Sequence, residues 1–269
     1  MDGSYADGKM LAQVADGIGT ITFNQPDKHN AMSVAMWDGL GAILDSFAAH
    51  HDVRVVVLTG AGWKAFVSGA DISEFDAKRA DADAQREYDR LTTGGREKLA
   101  AFPKPVIACI RGWCLGGGLG IAMQADLRIA GADAMFGIPA AKLGIAYGPG
   151  MTQTLMSLVG PAHARMMLYT ARRIDAAEAV RIGLVNQVVP VKELETTVHG
   201  VARTIAQNAP RSVAAAKLIT GQLLPGAARD RDAMARAVAA CFGLWTADCL
   251  PRHSNAQARE LQFRVISRL

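Results

Sequence analysis

Aromatic side chains make up only 6% of this 269-residue chain, and 29 Lys and Arg against 25 Asp and Glu leave a formal net charge of +4. A nucleic-acid-binding protein needs a basic stripe or an aromatic stacking platform. The densest basic stretches here, Arg172-Arg173 and residues 229–236, are interrupted by acids and alanines, so no nucleic-acid partner is expected. Cysteine is scarce as well: Cys109, Cys114, Cys241 and Cys249 show no CxxC spacing. Reduced buried thiols are expected, not a disulfide framework or a zinc site. No histidines stand at metal-ligand spacing on a helix face; the adjacent pair His50-His51 ends a helix, where it complements the helix dipole. No metal is therefore expected. No apolar run is long enough to span a membrane, and the richest, from Pro105, is broken by Arg111 and by glycines. Met1-Asp2-Gly3-Ser4-Tyr5 lacks the basic and apolar regions of a signal peptide. The expectation is a soluble cytoplasmic protein with no membrane partner.

What is present is a large core. With 50% hydrophobic and 20% charged residues, the chain can bury a full globular interior, which excludes disorder as the main state. Leu11–Ala15 and Ile18–Phe23 read as strands joined by the tight turn Asp16-Gly17. A helix follows from about Ser33, with Met36, Trp37, Leu40, Ile43, Leu44 and Phe47 at helical spacing. Arg54–Thr59 is a β-branched strand, a helix ends near Ala101, and Pro105–Ile110 is the next strand. Asp126–Ala130, Ala134–Phe136 and Leu184–Val189 complete the strands, with a capping box at Asp175 and Glu178 and a helix stop at Gly183. Alternating strands and helices predict an α/β fold with parallel strands. From Glu193 only helices are predicted, broken near Pro210, Pro225-Gly226 and Pro251. The composition shift near residue 205 divides the chain into an α/β core over residues 1–205 and a helical C-terminal region over residues 206–269.

Two glycine-containing turns could carry chemistry. Val67-Ser68-Gly69-Ala70-Asp71-Ile72 and Leu115-Gly116-Gly117-Gly118-Leu119-Gly120 each follow a strand and lead towards a helix. Side by side they could aim two backbone N–H groups at one oxygen, forming an oxyanion hole; taken singly, each reads first as a tight turn that needs glycine for packing. The glycine cluster lacks the acidic residue, about 20 positions on, of a dinucleotide site, and no Gly-Lys-Ser/Thr phosphate loop is present. Ser68 has no base nearby in sequence, so a hydrolase nucleophile is unsupported.

Asn24-Gln25-Pro26 and Asn30-Ala31-Met32, then Leu58-Thr59-Gly60, Lys64-Ala65-Phe66 and Gly69-Ala70-Asp71-Ile72, occur in a fixed order. They are followed by Lys104-Pro105-Val106-Ile107-Ala108, Leu115-Gly116-Gly117-Gly118, Phe136-Gly137 and Gly183-Leu184-Val185. This series, over residues 10–250, resembles the crotonase superfamily, the enoyl-CoA hydratases and isomerases. The resemblance implies a spiral of ββα units with a helical C-terminal trimerisation region, assembled as a homotrimer or homohexamer. It implies an acyl-CoA thioester as substrate, with coenzyme A part of that substrate and no further cofactor. Carried over by motif, the Ala70 and Gly117 amides would bind the thioester oxygen, and Lys28, His29, Ser68, Asp71 and Ile72 would line the CoA moiety. Asp71 reads equally well as a helix-start residue.

Two departures matter. A hydratase of this family holds and splits water with two glutamates, and the matching positions here are Gly120 and Ala140. Neither side chain can move a proton, which argues against ordinary hydration of a 2-enoyl-CoA. Tyr147, in Leu143-Gly144-Ile145-Ala146-Tyr147, resembles the tyrosine of methylmalonyl-CoA decarboxylase and is a third candidate catalytic residue; the other reading is a packed aromatic with its hydroxyl tied to backbone. Trp113, Cys114 and Met123 wall either an acyl pocket or the core. Three functions follow: lyase or isomerase chemistry on an acyl-CoA, decarboxylation of a malonyl- or methylmalonyl-type thioester, or acyl-CoA binding without turnover.

Overall fold

The computed structural model describes residues 2–71, 92–224 and 229–242. The chain divides into two units, Met1–Arg203 and Thr204–Leu269.

The first unit opens with β1 (Asp2–Tyr5), β2 (Met10–Ala15) and β3 (Ile18–Phe23), paired antiparallel. Asp16 and Gly17 both take positive φ, 52° and 80°, the hairpin geometry whose twist matches that of the flanking strands. Helix α1 (Val34–Ala49) starts at Ser33, whose Oγ accepts from Met36 N at 3.3 Å. Its buried stripe, Met36, Trp37, Leu40, Ile43, Leu44 and Phe47, covers β2 and β3, and His50 forms its C-cap.

Next come β4 (Val55–Gly60), β5 (Ala65–Val67), α2 (residues 92–100), β6 (Val106–Ile110), β7 (Trp113–Leu115) and α3 (Gly117–Gln124). They lead to β8 (Leu127–Gly131), β9 (Met135–Gly137), α4 (Pro149–Thr170), β10 (Arg173–Asp175), α5 (Ala176–Arg181) and β11 (Gln187–Val189). The strands form two sheets, a seven-stranded one in the order β1-β2-β3-β4-β6-β8-β11 and a four-stranded one in the order β10-β9-β7-β5. In each repeat the first strand joins the large sheet and the short second strand the small one: β4 then β5, β6 then β7, β8 then β9. From β3 to β11 the large sheet is parallel, and all five residues of β6 are buried, as expected for a parallel strand covered on both faces.

The strand expected over Leu184–Val189 is shorter than its apolar run. The Leu184 and Val185 amides donate to Ala179 O at 2.9 and 3.3 Å, closing the end of α5, so pairing with β8 starts only at Gln187. Both side chains are buried, which is why the run looks like a strand in sequence. Asp175 caps α5 as predicted, accepting from Glu178 N at 2.8 Å. Cys109, Cys114 and Cys241 are free thiols; Cys249 lies outside the described residues.

Helix α6 (Leu194–Gln207) leads from the first unit into the second, where α7 (Pro210–Leu223) packs on α8 (Arg231–Phe242). No helix among the described residues is long and apolar enough to cross a membrane.

Candidate active site

The site is built where two short parallel strands end. β5 pairs with β7 through Ala65↔Trp113 and Val67↔Cys114, so the turns that follow them emerge side by side. Ligand sites of parallel sheets form beyond such carboxyl ends. A parallel bridge between Met32 and Ala70 fixes the first turn: Met32 N donates to Gly69 O at 2.8 Å and Asp71 N to Met32 O at 2.9 Å. These bonds use the residues flanking Ala70 and leave its own amide uncommitted. Gly117 is the first residue of α3, where a helical N–H has no intrahelical acceptor.

Among the described residues, neither the Ala70 nor the Gly117 amide donates to a protein acceptor. A Cβ placed on Gly117 would lie 3.9 Å from Ala70 N, so the two donors are neighbours. The next glycine does a different job. A Cβ on Gly118 would lie 2.0 Å from Val67 O, a separation no side chain tolerates, and its absence lets the start of α3 press against the end of β5.

Tyr147 Oη donates to Gly116 O at 3.3 Å. Burial raises the phenol's pKa above its usual value, the neighbouring Cys114 thiol adds to the rise, and Arg96 opposes it. The hydroxyl therefore keeps its proton at neutral pH and serves as a donor. Tyr147 also shapes the space beside Gly120, where an added Cβ would meet Met151 Sδ at 2.9 Å and Tyr147 Oη at 3.2 Å. Ala140 is 7% exposed in a short 3-10 turn, Pro139–Leu143. Met151, near the start of α4, is a site residue that the sequence reading missed; nothing in its local sequence marks it, and only the packing of α4 on α3 brings it to Gly120.

Four of the five residues expected to line a CoA moiety come together next to Ala70. Lys28 Nζ lies 2.8 Å from Asp71 Oδ2, Ser68 N donates to His29 O at 3.1 Å, and Ser68 Oγ to Lys28 O at 3.5 Å. Ile72 lies outside the described residues, as does any helix that Asp71 starts. The fully buried Asn30 holds this loop, donating from Nδ2 to Ala61 O at 2.9 Å and Ala65 O at 2.8 Å while its Oδ1 accepts from Gln25 N at 3.0 Å. Cys114 and Met123 are buried core residues, and the Trp113 ring carries the Arg173 guanidinium at 4.7 Å.

Residues 13–232 match the enoyl-CoA hydratase/isomerase family. The chain is 41% identical over 200 residues to a short-chain-enoyl-CoA hydratase of Clostridium acetobutylicum, covering 74% of this chain and 76% of that one. It is 37% identical over 238 residues to a crotonyl-CoA hydratase of Syntrophomonas wolfei, covering 87% and 88%. Among solved structures, the enoyl-CoA hydratase of Bacillus anthracis superposes with a TM-score of 0.80 at 32% identity, covering 96% of each chain. An enoyl-CoA hydratase/carnithine racemase of Magnetospirillum magneticum gives 0.82 at 34% identity, covering 89% of each. The mixed two-sheet architecture with its helical C-terminal region is the crotonase fold, and the chain belongs to the enoyl-CoA hydratase/isomerase family.

Proposed function

We propose that this chain is a lyase or isomerase of acyl-CoA thioesters that polarises the thioester carbonyl with the Ala70 and Gly117 amides and stabilises the resulting enolate. The observation that carries this reading is the pair of adjacent backbone donors without a protein acceptor among the described residues. Each such donor is worth roughly 10²–10³ in rate when aimed at developing negative charge. Lys28, His29, Ser68, Asp71 and Ile72 line the CoA moiety, which arrives as part of the substrate, so no separate cofactor is needed. The hydratase names of its relatives support the thioester class. The two-glutamate route to hydration is not proposed, because Gly120 and Ala140 bring no proton-transfer group.

A specific observation favours a second reading. With no carboxylate at positions 120 and 140, the polar side-chain group beside Gly120 is the protonated Tyr147 hydroxyl. Decarboxylation of a malonyl- or methylmalonyl-type thioester suits such a site. The bond to the carboxylate breaks, its electron pair enters the enolate, CO₂ leaves, and solvent supplies the proton, while in this reading the Tyr147 hydroxyl turns its one proton from Gly116 O to orient the departing carboxylate.

The assembly we propose is a homotrimer or homohexamer, which would cover the exposed apolar side chains Leu143, Ile145, Met156, Met166 and Tyr169. A cytoplasmic location fits the free thiols.

The test is mass spectrometry of saturated, 2-enoyl, 3-enoyl, malonyl and methylmalonyl thioesters incubated with the protein in D₂O. Deuterium next to the carbonyl or isomerised product supports the first reading, and loss of CO₂ supports the second. Tight binding with no change in any thioester would make the chain an acyl-CoA binding protein and overturn both.

A further inference from the structure

Three consecutive glycines, Gly116 to Gly118, carry the Gly117 donor. Glycine leaves peptide planes free to reorient, and no side chain of the run can fix them. A preorganised donor needs an anchor from elsewhere. A peptide unit is planar, so holding its carbonyl oxygen holds its N–H as well. The carbonyl of the Gly116–Gly117 peptide accepts two bonds, from Gly120 N at 3.0 Å and from Tyr147 Oη at 3.3 Å.

We propose that Tyr147 is a positioning residue for the oxyanion donor: its hydroxyl hydrogen-bonds the carbonyl of the Gly116–Gly117 peptide, and so orients and strengthens the Gly117 N–H. This rests on the reading of Ala70 and Gly117 as donors to a thioester oxygen. A bond received at a peptide oxygen draws electron density from the nitrogen and makes the N–H a better donor, by about 10–30% per bond. The phenol is suited to the task because burial keeps it protonated. Its backbone is held too, with Thr152 Oγ1 donating to Tyr147 O at 3.2 Å. Glycine at position 120 takes part in the same arrangement, since a Cβ there would lie 3.2 Å from the hydroxyl and crowd it.

The test uses butyryl-CoA with ¹³C at the thioester carbonyl, bound to the full-length protein, with the carbonyl stretch read by isotope-edited infrared difference spectroscopy. Wild-type protein should shift the stretch to lower frequency. Tyr147→Phe should bind within about twofold of wild-type affinity but lose about 5–15% of that shift, because only one of the two donors is weakened by about 10–30%. A Tyr147→Phe protein that binds and gives the full wild-type shift overturns the proposal while leaving the oxyanion reading intact. A wild-type protein that binds without shifting the stretch overturns the oxyanion reading itself, and with it this role. Fluorotyrosine placed at position 147 tests the same bond with the ring kept in place. Its more acidic hydroxyl should enlarge the shift, and an unchanged or smaller shift counts against the proposal even if Tyr147→Phe fails to fold.

Discussion

Lys28 Nζ sits 2.8 Å from Oδ2 of Asp71, and this contact ties the Gln25–Asn30 loop to the segment that carries Ala70. The partners are unequal: the lysine side chain is half exposed, whereas the carboxylate is 7% exposed and also accepts from Gln25 Nε2 at 3.3 Å. Removing the cation takes a charge-assisted bond from a nearly buried carboxylate, which costs more than an exposed pair would contribute. Lys28→Met should therefore lower the unfolding free energy by about 1–2 kcal/mol. Lys28→Met with Asp71→Asn should lose less than Lys28→Met alone, because a neutral amide at position 71 is cheaper to keep nearly buried than a carboxylate that has lost its ammonium bond. Urea midpoints of the three proteins check this, and a double variant less stable than Lys28→Met would show that the pair is not coupled.

Adjacent glycines at the start of α3 should respond in opposite ways. Gly118→Ala drives a methyl into Val67 O, a backbone atom 2.0 Å away, and should cost about 3 kcal/mol, the upper end of overpacking penalties. Gly117→Ala meets nothing closer than 3.9 Å and should leave the melting temperature close to wild type. Its methyl nevertheless occupies the space beside Ala70 N, so turnover of whichever thioester proves active should fall at least tenfold. Thermal melts and initial rates on both variants separate a glycine needed for packing from one proposed to bind the thioester oxygen.

These contrasts also show what could be read in the sequence. The long elements were legible because their periodicity is strong: the stripe from Met36 to Phe47 marks α1, and the β-branched run ending at Thr59 marks β4. Of the small sheet only β9 was legible, as the run Ala134–Phe136; β5, β7 and β10 are three residues each, too short to show alternation. Ala70 and Gly117 were singled out through motif order, which encodes backbone geometry. Met151 and the Tyr147 bond to Gly116 depend on how α4 folds back on α3, and local sequence carries no record of that. The Leu184-Val185 pair misled for a related reason, since burial alone does not distinguish a strand from a helix end sealed against the core.

Stability should decline on the alkaline side. Burial raises the thiol pKa of Cys109 and Cys114 above their usual 9.0, and the Tyr147 phenol above its usual 10.0. In the unfolded chain these groups lose protons near their usual values, while the folded protein retains them. Their contribution is thus complete below about pH 9 and is lost as pH rises towards the folded-state values, by up to about 1.4 kcal/mol per pH unit for each group. Lys104 opposes this, because burial, reinforced by Arg54, lowers its pKa, so its unfavourable burial is relieved as pH rises. Among the described residues, two thiols and a phenol are set against the Lys104 ammonium and the Arg128 guanidinium, whose pKa burial also lowers; a guanidinium ordinarily titrates far above this range, so the net effect is a fall. Melting temperatures measured under reducing conditions should drop between pH 8.5 and 10.5, and Cys114→Ala should flatten the drop. A flat wild-type profile would contradict the assignment.

Introducing carboxylates at positions 120 and 140 tests the proposal that proton-transfer groups are lacking there, and the packing predicts that the simple double variant fails to gain hydration. A side chain at position 120 must start 2.9 Å from Met151 Sδ and 3.2 Å from Tyr147 Oη. The side chain introduced by Gly120→Glu would thus compete with both for the same space, and a carboxylate pressed against a thioether and a half-buried ring loses the hydration it needs to ionise. Gly120→Glu with Ala140→Glu should therefore show little hydration of 2-enoyl-CoA. Adding Met151→Ala removes the nearer obstacle, the end of a flexible side chain, and opens room for a water. The triple variant should gain at least a hundredfold in hydration rate over the double, since each positioned acid or base contributes about 10²–10⁴. Loss of the enoyl absorbance follows the reaction. A large gain in hydration by the double variant would mean that Met151 yields freely and that carboxylates at positions 120 and 140 suffice; no activity in the triple would mean that the acyl group is held out of reach of both positions.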